Sequence, residues 1–206
     1  MINIIKKNPL ISIMRNIPLE HTLDYAQAVY NGGIKAFEVA FNSEHAAKQI
    51  AMLRNHFGDS AIIGAGTTIT LERVQLALDA GAQFLLTPST NIKVLEYAQK
   101  NNIPLLPGVM TPTDVDICCS YGFKTLKLFP ASSQPSSYIA SLKGPFDDTE
   151  YVAVGGVSAD NLNTFYENGF IGAGIGSNLI PQKLLASHDW EGATQHIQHI
   201  VKNSKW

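Results

Sequence analysis

The sequence alternates between short apolar runs and longer amphipathic stretches, and this alternation limits the folds open to it. Eight apolar runs bounded by Gly, Pro or Thr have the length of buried β-strands. The stretches between them carry apolar residues at helical spacing and end near Gly or Asn. The apolar runs are ISIMR, AFEVAF, AIIGAGT, FLLTP, PLLPGV, TLKLFP, YVAVGG and IGAGIGS. Strands that alternate with helices form a parallel sheet, because each helix returns the chain to the same edge.

Eight strand and helix units are the number that closes a (β/α)8 barrel, although 206 residues are near the lower limit for that fold. The alternative is an open, doubly wound sheet. No G-x-G-x-x-G motif follows the first run, so the dinucleotide signal of that alternative is missing. The chain is 45% hydrophobic and no linker divides it. We therefore predict an α/β fold, a (β/α)8 TIM barrel, as a single domain over residues 1–206.

The charge balance excludes several classes of partner. The formal net charge is −2 and no long basic run occurs, so the sequence lacks the signature of nucleic-acid or anionic-membrane binding. The segment MINIIKKNPLISIMRN has no signal-peptide apolar region, and no apolar run reaches the ~20 residues that span a bilayer. We expect a cytoplasmic protein with no nucleic-acid and no membrane partner. Small anionic ligands stay possible, because they need only local donors.

Two charged residues interrupt apolar strands. Glu38 is the only charged residue of AFEVAF, and Lys127 is the only one of TLKLF. Burial penalises the ammonium form, so Lys127 among Leu126, Leu128 and Phe129 should have a lowered pKa and enough free amine to attack a carbonyl. A nearby carboxylate can carry the protons that imine formation requires. A structural ion pair between the two side chains is the alternative interpretation.

The ends of the predicted strands hold further candidates, because a barrel carries its reactive groups at the C-terminal ends of its strands. Arg15, Thr67 and Pro88 are the last residues of the first, third and fourth runs. On this basis we include all three in a predicted substrate-binding set.

Two glycine runs close the seventh and eighth strands. Gly155 and Gly156 lie in VAVGGVS, and Gly176 precedes Ser177 in GAGIGSN. Barrels often bind phosphate at these strand ends through backbone N–H groups and the N-terminus of a short helix. Glycine lets the backbone approach the ligand, and a serine hydroxyl adds a donor. We therefore predict a phosphate site at the two runs.

Two pairs of potential metal ligands occur in the sequence, but neither pair is typical of a metal site. His196 and His199 are three residues apart on a predicted terminal helix, but no carboxylate accompanies them. Cys118 and Cys119 are adjacent, which suits neither an ordinary disulfide nor a C-x-x-C site, and we interpret them as small buried apolar residues. We predict no metal site.

Landmark segments occur in a fixed order along almost the whole chain. They are MRN, AFEVAFNS, IGAGT, LLTPS, LPGVMTPTD, LKLFPAS, AVGGVS and GAGIGSNL. In this order and spacing they resemble one enzyme family, the class I aldolases that act on 2-keto-3-deoxy-6-phospho sugar acids. The resemblance implies a (β/α)8 fold, a homotrimer, and no metal or organic cofactor. It also implies that Lys127 forms a Schiff base with the keto acid, pyruvate included, and that Glu38 moves protons. Arg15 and Thr67 are then the candidates to hold the substrate carboxylate.

The family has two branches, whose substrates are C4 epimers, and two positions of this chain resemble the galactonate branch. Asn42 stands where the gluconate branch has an arginine, and Val154 stands where that branch has a threonine. Asn16 and Ala40 differ even from the galactonate branch, where a glycine and a proline are usual. We predict cleavage of the galactonate epimer. The gluconate epimer, a phosphate-binding epimerase or synthase, and a non-enzymatic phosphosugar-binding protein are the alternatives.

Overall fold

The computed structural model describes residues 1–206, and strands alternate with helices along that chain. The strands are β1 (Leu10–Met14), β2 (Ala36–Ala40), β3 (Ile62–Gly66), β4 (Phe84–Leu86), β5 (Leu105–Leu106), β6 (Gly108–Val109), β7 (Thr125–Leu128), β8 (Glu150–Val154) and β9 (Gly172–Ile175). The helices are α1 (Ile2–Lys7), α2 (Thr22–Asn31), α3 (Ala46–Phe57), α4 (Leu71–Asp79), α5 (Ile92–Lys100), α6 (Pro112–Ser120), α7 (Tyr138–Lys143), α8 (Leu162–Glu167), α9 (Gln182–Ala186) and α10 (Trp190–Asn203). None of them combines the length and apolar character needed to cross a bilayer.

All strand pairs are parallel, and the strand order is β5-β4-β3-β2-β1-β9-β8-β7-β6. The two ends of this order, β5 and β6, are separated only by Pro107, so the chain itself closes the barrel. The predicted fifth strand PLLPGV is therefore two short strands. Proline has no N–H to donate to a ladder, which explains the interruption. The amide N–H of Gly108 donates to Thr87 Oγ1 at 3.2 Å and bridges the gap. The predicted barrel is confirmed, with its fifth strand split.

The interior of the barrel is an apolar layer of its own. Its members are Ile5, Ile11, Ile13, Ala36, Phe84, Leu86, Leu106, Val152 and Val154. A second and larger cluster fills the space between the strands and the surrounding helices. Leu126 and Leu128 belong to that outer cluster, and side chains alternate along a strand, so Lys127 between them points into the barrel. By the same alternation Glu38 points inward as well. The burial of Lys127 thus comes from the barrel interior and not, as the sequence suggested, from its two leucine neighbours.

Three consecutive helices are started by side-chain caps at the end of the barrel that carries the site. Thr70 accepts from the N–H of Arg73 before α4, Asn91 accepts from Val94 before α5, and Thr111 forms a capping box with Asp114 before α6. Each such cap is worth about 1 kcal/mol and fixes where the preceding loop must end. Along α6, Cys118 is buried as predicted, whereas Cys119 is only half-buried.

Candidate active site

Glu38 on β2 and Lys127 on β7 are both enclosed in the barrel, with exposed fractions of 1% and 4%. No ion pair joins them, and the ion pairs of the chain all involve residues other than these two. The Nζ atom of Lys127 lies 5.0 Å from the centroid of the Phe129 ring, over its face. The direct structural ion pair that the sequence allowed is therefore not formed.

Burial shifts the pKa of each group in the direction that favours its neutral form. Burial lowers the pKa of Lys127, the Glu38 carboxylate opposes this by raising it, and the Arg15 guanidinium lowers it again. The pKa of Glu38 is raised by burial, and the positive charges of Lys127 and Arg15 lower it in part. A neutral amine is a nucleophile and a protonated carboxyl can donate a proton, so the site is suited to attack on a carbonyl.

The Glu38 carboxyl group is not fully hydrogen-bonded within the protein. Its Oε2 atom is buried and has no hydrogen-bond partner in the chain. Buried polar atoms are nearly always paired, so an orphan acceptor at a barrel end indicates a group that pairs with something the chain does not supply. A substrate hydroxyl or a reacting water has the required donor.

Thr67 directly follows β3 and has a left-handed backbone conformation, with φ at 59°. A positive φ is unusual for a β-branched residue and requires support from its surroundings. The carbonyl oxygen of Thr67 accepts from Arg73 Nη1 at 3.2 Å and from the N–H of Ile69 at 2.9 Å. These contacts fix the turn that presents Thr67 at the end of the barrel.

Pro88 and Arg15 approach the same region from other strands. Gly108 pairs in register with Lys127, and a Cβ atom on Gly108 would lie 2.6 Å from the carbonyl oxygen of Pro88. Pro88 is thus separated from the Lys127 strand only by a glycine. Arg15 is exposed after β1, yet its charge acts on both Lys127 and Glu38.

The turn after β8 is oriented with its carbonyl groups towards the protein. Gly155 and Gly156 both have positive φ, at 92° and 73°. The carbonyl oxygen of Gly155 accepts from the N–H of Ser132 at 3.1 Å, and that of Gly156 accepts from Asn161 Nδ2 at 2.8 Å. The amide N–H of Gly156 donates to no atom of the chain.

The turn after β9 has the same polarity. The carbonyl oxygen of Gly176 accepts from the N–H of Leu179 at 2.9 Å, while the amide N–H groups of Gly176 and Ser177 have no acceptor in the chain. Asn178 Nδ2 donates to the carbonyl oxygen of Val157 at 3.1 Å and joins this turn to the one after β8. Free N–H groups on two adjacent turns are donors of the kind that bind anions, and the phosphate site at the glycine runs stays a prediction.

A cavity of about 560 Å³ opens beside these turns. The predicted site residues that line it are Arg15, Val154, Gly155, Gly156, Gly176 and Ser177. Lys127, Glu38, Thr67 and Pro88 do not line it. The Phe129 ring connects the two parts, since it lines the cavity and also faces the Lys127 amine.

The cavity contains residues that the sequence did not indicate, and one predicted residue lies outside it. His21, His188 and Trp190 form a wall, with ring centroids of the two histidines 4.1 Å apart and the His188 and Trp190 rings stacked at 6.1 Å. These side chains lie in loops and at helix starts, where sequence periodicity gives no signal. Asn42, predicted to affect specificity, lies exposed in the turn after β2 and does not line the cavity.

Comparison with known proteins identifies the family. A model of the family described as KDPG and KHG aldolase matches residues 1–196. The 2-dehydro-3-deoxy-6-phosphogalactonate aldolase of Escherichia coli K12 is 35% identical over 174 residues, which cover 84% of this chain and 85% of that protein. The 2-dehydro-3-deoxy-phosphogluconate aldolase of Treponema pallidum is 30% identical over 195 residues, covering 94% and 91%. A crystal structure of KDPG aldolase from Legionella pneumophila, with pyruvate captured as a covalent carbinolamine, superposes with a TM-score of 0.85 at 29% identity over 94% of each chain. The chain therefore belongs to the KDPG and KHG aldolase family.

Proposed function

We propose that the protein is a class I aldolase that cleaves 2-dehydro-3-deoxy-6-phospho-D-galactonate to pyruvate and D-glyceraldehyde 3-phosphate, with Lys127 as the Schiff-base residue. The observation that carries this proposal is the enclosure of Lys127 and Glu38 in one barrel without an ion pair between them. Burying an ionisable group without a partner is costly, and such a group is expected to persist where it reacts with a substrate. Family membership supports the same chemistry.

Imine formation follows from the protonation states that burial favours. The neutral Lys127 amine adds its lone pair to the C2 carbonyl carbon, and the carbonyl oxygen becomes a hydroxyl as a proton moves to it from the nitrogen. Protonated Glu38 gives a proton to this hydroxyl, which leaves as water. The nitrogen lone pair then forms the C2=N bond of the iminium ion, and Glu38 is left ionised.

Carbon–carbon cleavage uses the iminium ion as the electron acceptor. The Glu38 carboxylate takes the proton of the C4 hydroxyl, and the released electron pair forms the aldehyde carbonyl of glyceraldehyde 3-phosphate. The electrons of the C3–C4 bond form the C2=C3 bond of an enamine, and the nitrogen becomes neutral. Glu38 returns the proton to C3 and is ionised again. Water then adds to the regenerated iminium carbon while Glu38 takes one of its protons, which gives a neutral carbinolamine and protonated Glu38. The proton of the new hydroxyl moves to the nitrogen as the C–N bond breaks, and pyruvate and the neutral Lys127 amine are released.

The two ends of the substrate bind at different parts of the site. The phosphate accepts from the free amide N–H groups of Gly156, Gly176 and Ser177, which have no acceptor in the chain. The carboxylate next to C2 is held by Arg15 and by Thr67. A carboxylate oxygen on a guanidinium forms a charge-assisted bond, which is stronger than a neutral hydrogen bond.

Val154 carries the preference at C4. It is buried, lines the cavity and is apolar, so no hydroxyl is offered to the substrate from the end of β8. A missing hydroxyl partner is worth about 1–3 kcal/mol, or about 5- to 150-fold in kcat/KM. We expect cleavage of the galactonate epimer at a rate comparable to or above that of the gluconate epimer, and a shift towards gluconate in Val154→Thr. Asn42 contributes by not placing an arginine near the carboxylate.

The proposal includes one domain over residues 1–206 and a homotrimer. Sedimentation equilibrium of the purified protein measures the assembly, and three times the chain mass of 22.4 kDa is expected. A monomer with full activity would contradict the trimer without affecting the chemistry.

Borohydride trapping tests the proposed chemistry directly. Incubation with pyruvate and borohydride should add the mass of one reduced pyruvate to the peptide that contains Lys127, because only an imine is reduced in place. Lys124→Met should be trapped like the wild type, since Lys124 is exposed and paired with Asp148. Lys127→Met should not be trapped.

The same samples separate the proposal from its alternatives. Modification of another lysine, or none at all in an active enzyme, would exclude the Schiff-base role of Lys127 and would favour an epimerase or synthase. Trapping at Lys127 together with a strong preference for the gluconate epimer that Val154→Thr does not change would exclude the galactonate assignment alone.

A further inference from the structure

Gly66, the last residue of β3, lies against the Glu38 side chain. A Cβ atom on Gly66 would stand 2.7 Å from Glu38 Cγ and closer still to its Cδ and Oε1 atoms. No real side chains approach so closely. β2 and β3 are paired with Ala40 opposite Gly66, and the N–H of Phe41 donates to the Gly66 carbonyl oxygen at 2.8 Å, so the backbones cannot separate to make room.

The glycine is required for space and not for backbone conformation. Gly66 is absent from the residues with positive φ, so an alanine could adopt its backbone angles. The atoms that an added methyl would meet are the far end of a flexible side chain, which can turn away. Glu38 has no hydrogen bond at Oε2 to resist this movement. A methyl group at position 66 would therefore displace the carboxylate and leave the strand pairing intact.

We propose that Gly66 is a positioning residue of the aldolase, whose missing side chain provides the space in which the Glu38 carboxylate is held inside the barrel, at reach of the imine that forms on Lys127. This inference rests on the proposed function, because it acts through the proton transfers assigned to Glu38. It assigns to the second glycine of IGAGT a part in proton transfer. This part is separate from the left-handed turn at Thr67, the next residue.

Gly64, two residues earlier on the same strand, is a matched control. It also faces the barrel interior, but a Cβ atom there would lie 2.5 to 2.6 Å from the ring of Phe84, a fully buried core residue. Phe84 cannot turn away without disturbing the interior cluster. Gly64→Ala should thus reduce thermal stability and leave the turnover of the folded fraction close to that of the wild type.

The experiment measures exchange of the pyruvate methyl protons with D2O by NMR, which reports enamine formation and needs no aldehyde. Gly66→Ala should lower the maximal exchange rate by about 10²-fold, the usual worth of a general acid or base, with KM for pyruvate changed less than about threefold. Melting temperature should stay near that of the wild type. In the Glu38→Ala background, where the obstructed side chain is gone, adding Gly66→Ala should change the exchange rate less than about twofold.

The outcomes distinguish this inference from the proposed function. Wild-type protein that is not trapped at Lys127 by borohydride and pyruvate overturns both. If the wild type is trapped and Gly66→Ala exchanges pyruvate protons at the normal rate, the role of Gly66 alone is overturned. The same conclusion follows if Gly66→Ala lowers the exchange rate as much in the Glu38→Ala background as it does in the wild type. Should Gly66→Ala fail to fold, the Glu38→Ala/Gly66→Ala protein decides: normal folding there supports the steric link to Glu38, and failure to fold contradicts it.

Discussion

Replacing Lys127 with methionine is expected to stabilise the fold while abolishing imine formation. Lys127 is 4% exposed, has no ion pair, and its Nζ atom lies 5.0 Å from the centroid of the Phe129 ring. Methionine has a similar length and no charge, so it fills the same space without the cost of desolvating an amine. Removing this desolvation cost should raise the free energy of unfolding by about 1–2 kcal/mol, a common gain for a stabilising substitution. For a chain of this length, that is about 2–8 °C in melting temperature.

The pH dependence gives the sharper test, and its sign follows from the lowered pKa of Lys127. Between that folded-state pKa and the unfolded value of about 10.4, the unfolded chain holds a proton that the folded protein has released. Wild-type stability therefore rises with pH in this window, by at most about 1.4 kcal/mol per pH unit from this group. The advantage of Lys127→Met should shrink as the pH rises through this window towards pH ~10.

The assay is guanidinium unfolding of both proteins, followed by circular dichroism, near neutral pH and near pH ~9.5, below the unfolded value. The same pair made in the Glu38→Gln background removes the titration of the carboxyl, whose pKa Lys127 also affects. Lys124→Met is the surface control, because Lys124 is exposed and its loss should leave stability nearly unchanged. A Lys127→Met protein that is less stable than the wild type at neutral pH, with no dependence of the difference on pH, would refute the reasoning that burial holds this amine uncharged.

Three other variants test separate parts of the site. Glu38→Gln keeps the shape but removes the base, so turnover should fall by roughly 10²-fold or more while the melting temperature is retained; near-normal turnover would place the proton shuttle elsewhere. Gly156→Ala meets a φ of 73° and the side chain of Ser132, so KM for the phosphorylated substrate should rise while pyruvate proton exchange continues, and equal losses in both assays would show that the glycine serves folding. Arg15→Met removes a charge that lowers the pKa of Lys127 and of Glu38, so the rise of the trapping rate with pH, at saturating pyruvate, should move to higher pH; an unchanged profile would mean that this charge does not reach the amine.

The sequence predicts most of the architecture because strand and helix periodicities are local properties. Alternating and helical spacing located the strands, and their number indicated the barrel. The fifth strand was predicted as one piece, since a proline inside an apolar run does not reveal whether the chain pairs with a different neighbour on each side. Pro107 does separate two such pairings, β5 with β4 and β6 with β7. Only the closed sheet contains that information.

The sequence indicated candidate members of the site but not their geometry. Lys127 and Glu38 attracted attention because each is a single charge in an apolar strand, and charge in such a place has a cost that sequence alone reveals. The wall of His21, His188 and Trp190 gave no such signal, because loop residues have no periodicity to violate. Asn42 follows its strand as predicted, but the turn leaves its side chain exposed.

The amino-acid order by itself determined the parallel barrel, the single charged residue in each of two apolar strands and the presence of glycine at two adjacent strand ends. Whether the two buried charges form an ion pair depends on how far apart β2 and β7 lie across the closed barrel, and this distance is set by strand number and register. The crowding of Gly66 against Glu38 depends on the pairing of β2 with β3. The N–H groups of Gly176 and Ser177 are free because the folded chain places no acceptor against them. Such properties belong to contacts between distant segments, which no local pattern encodes.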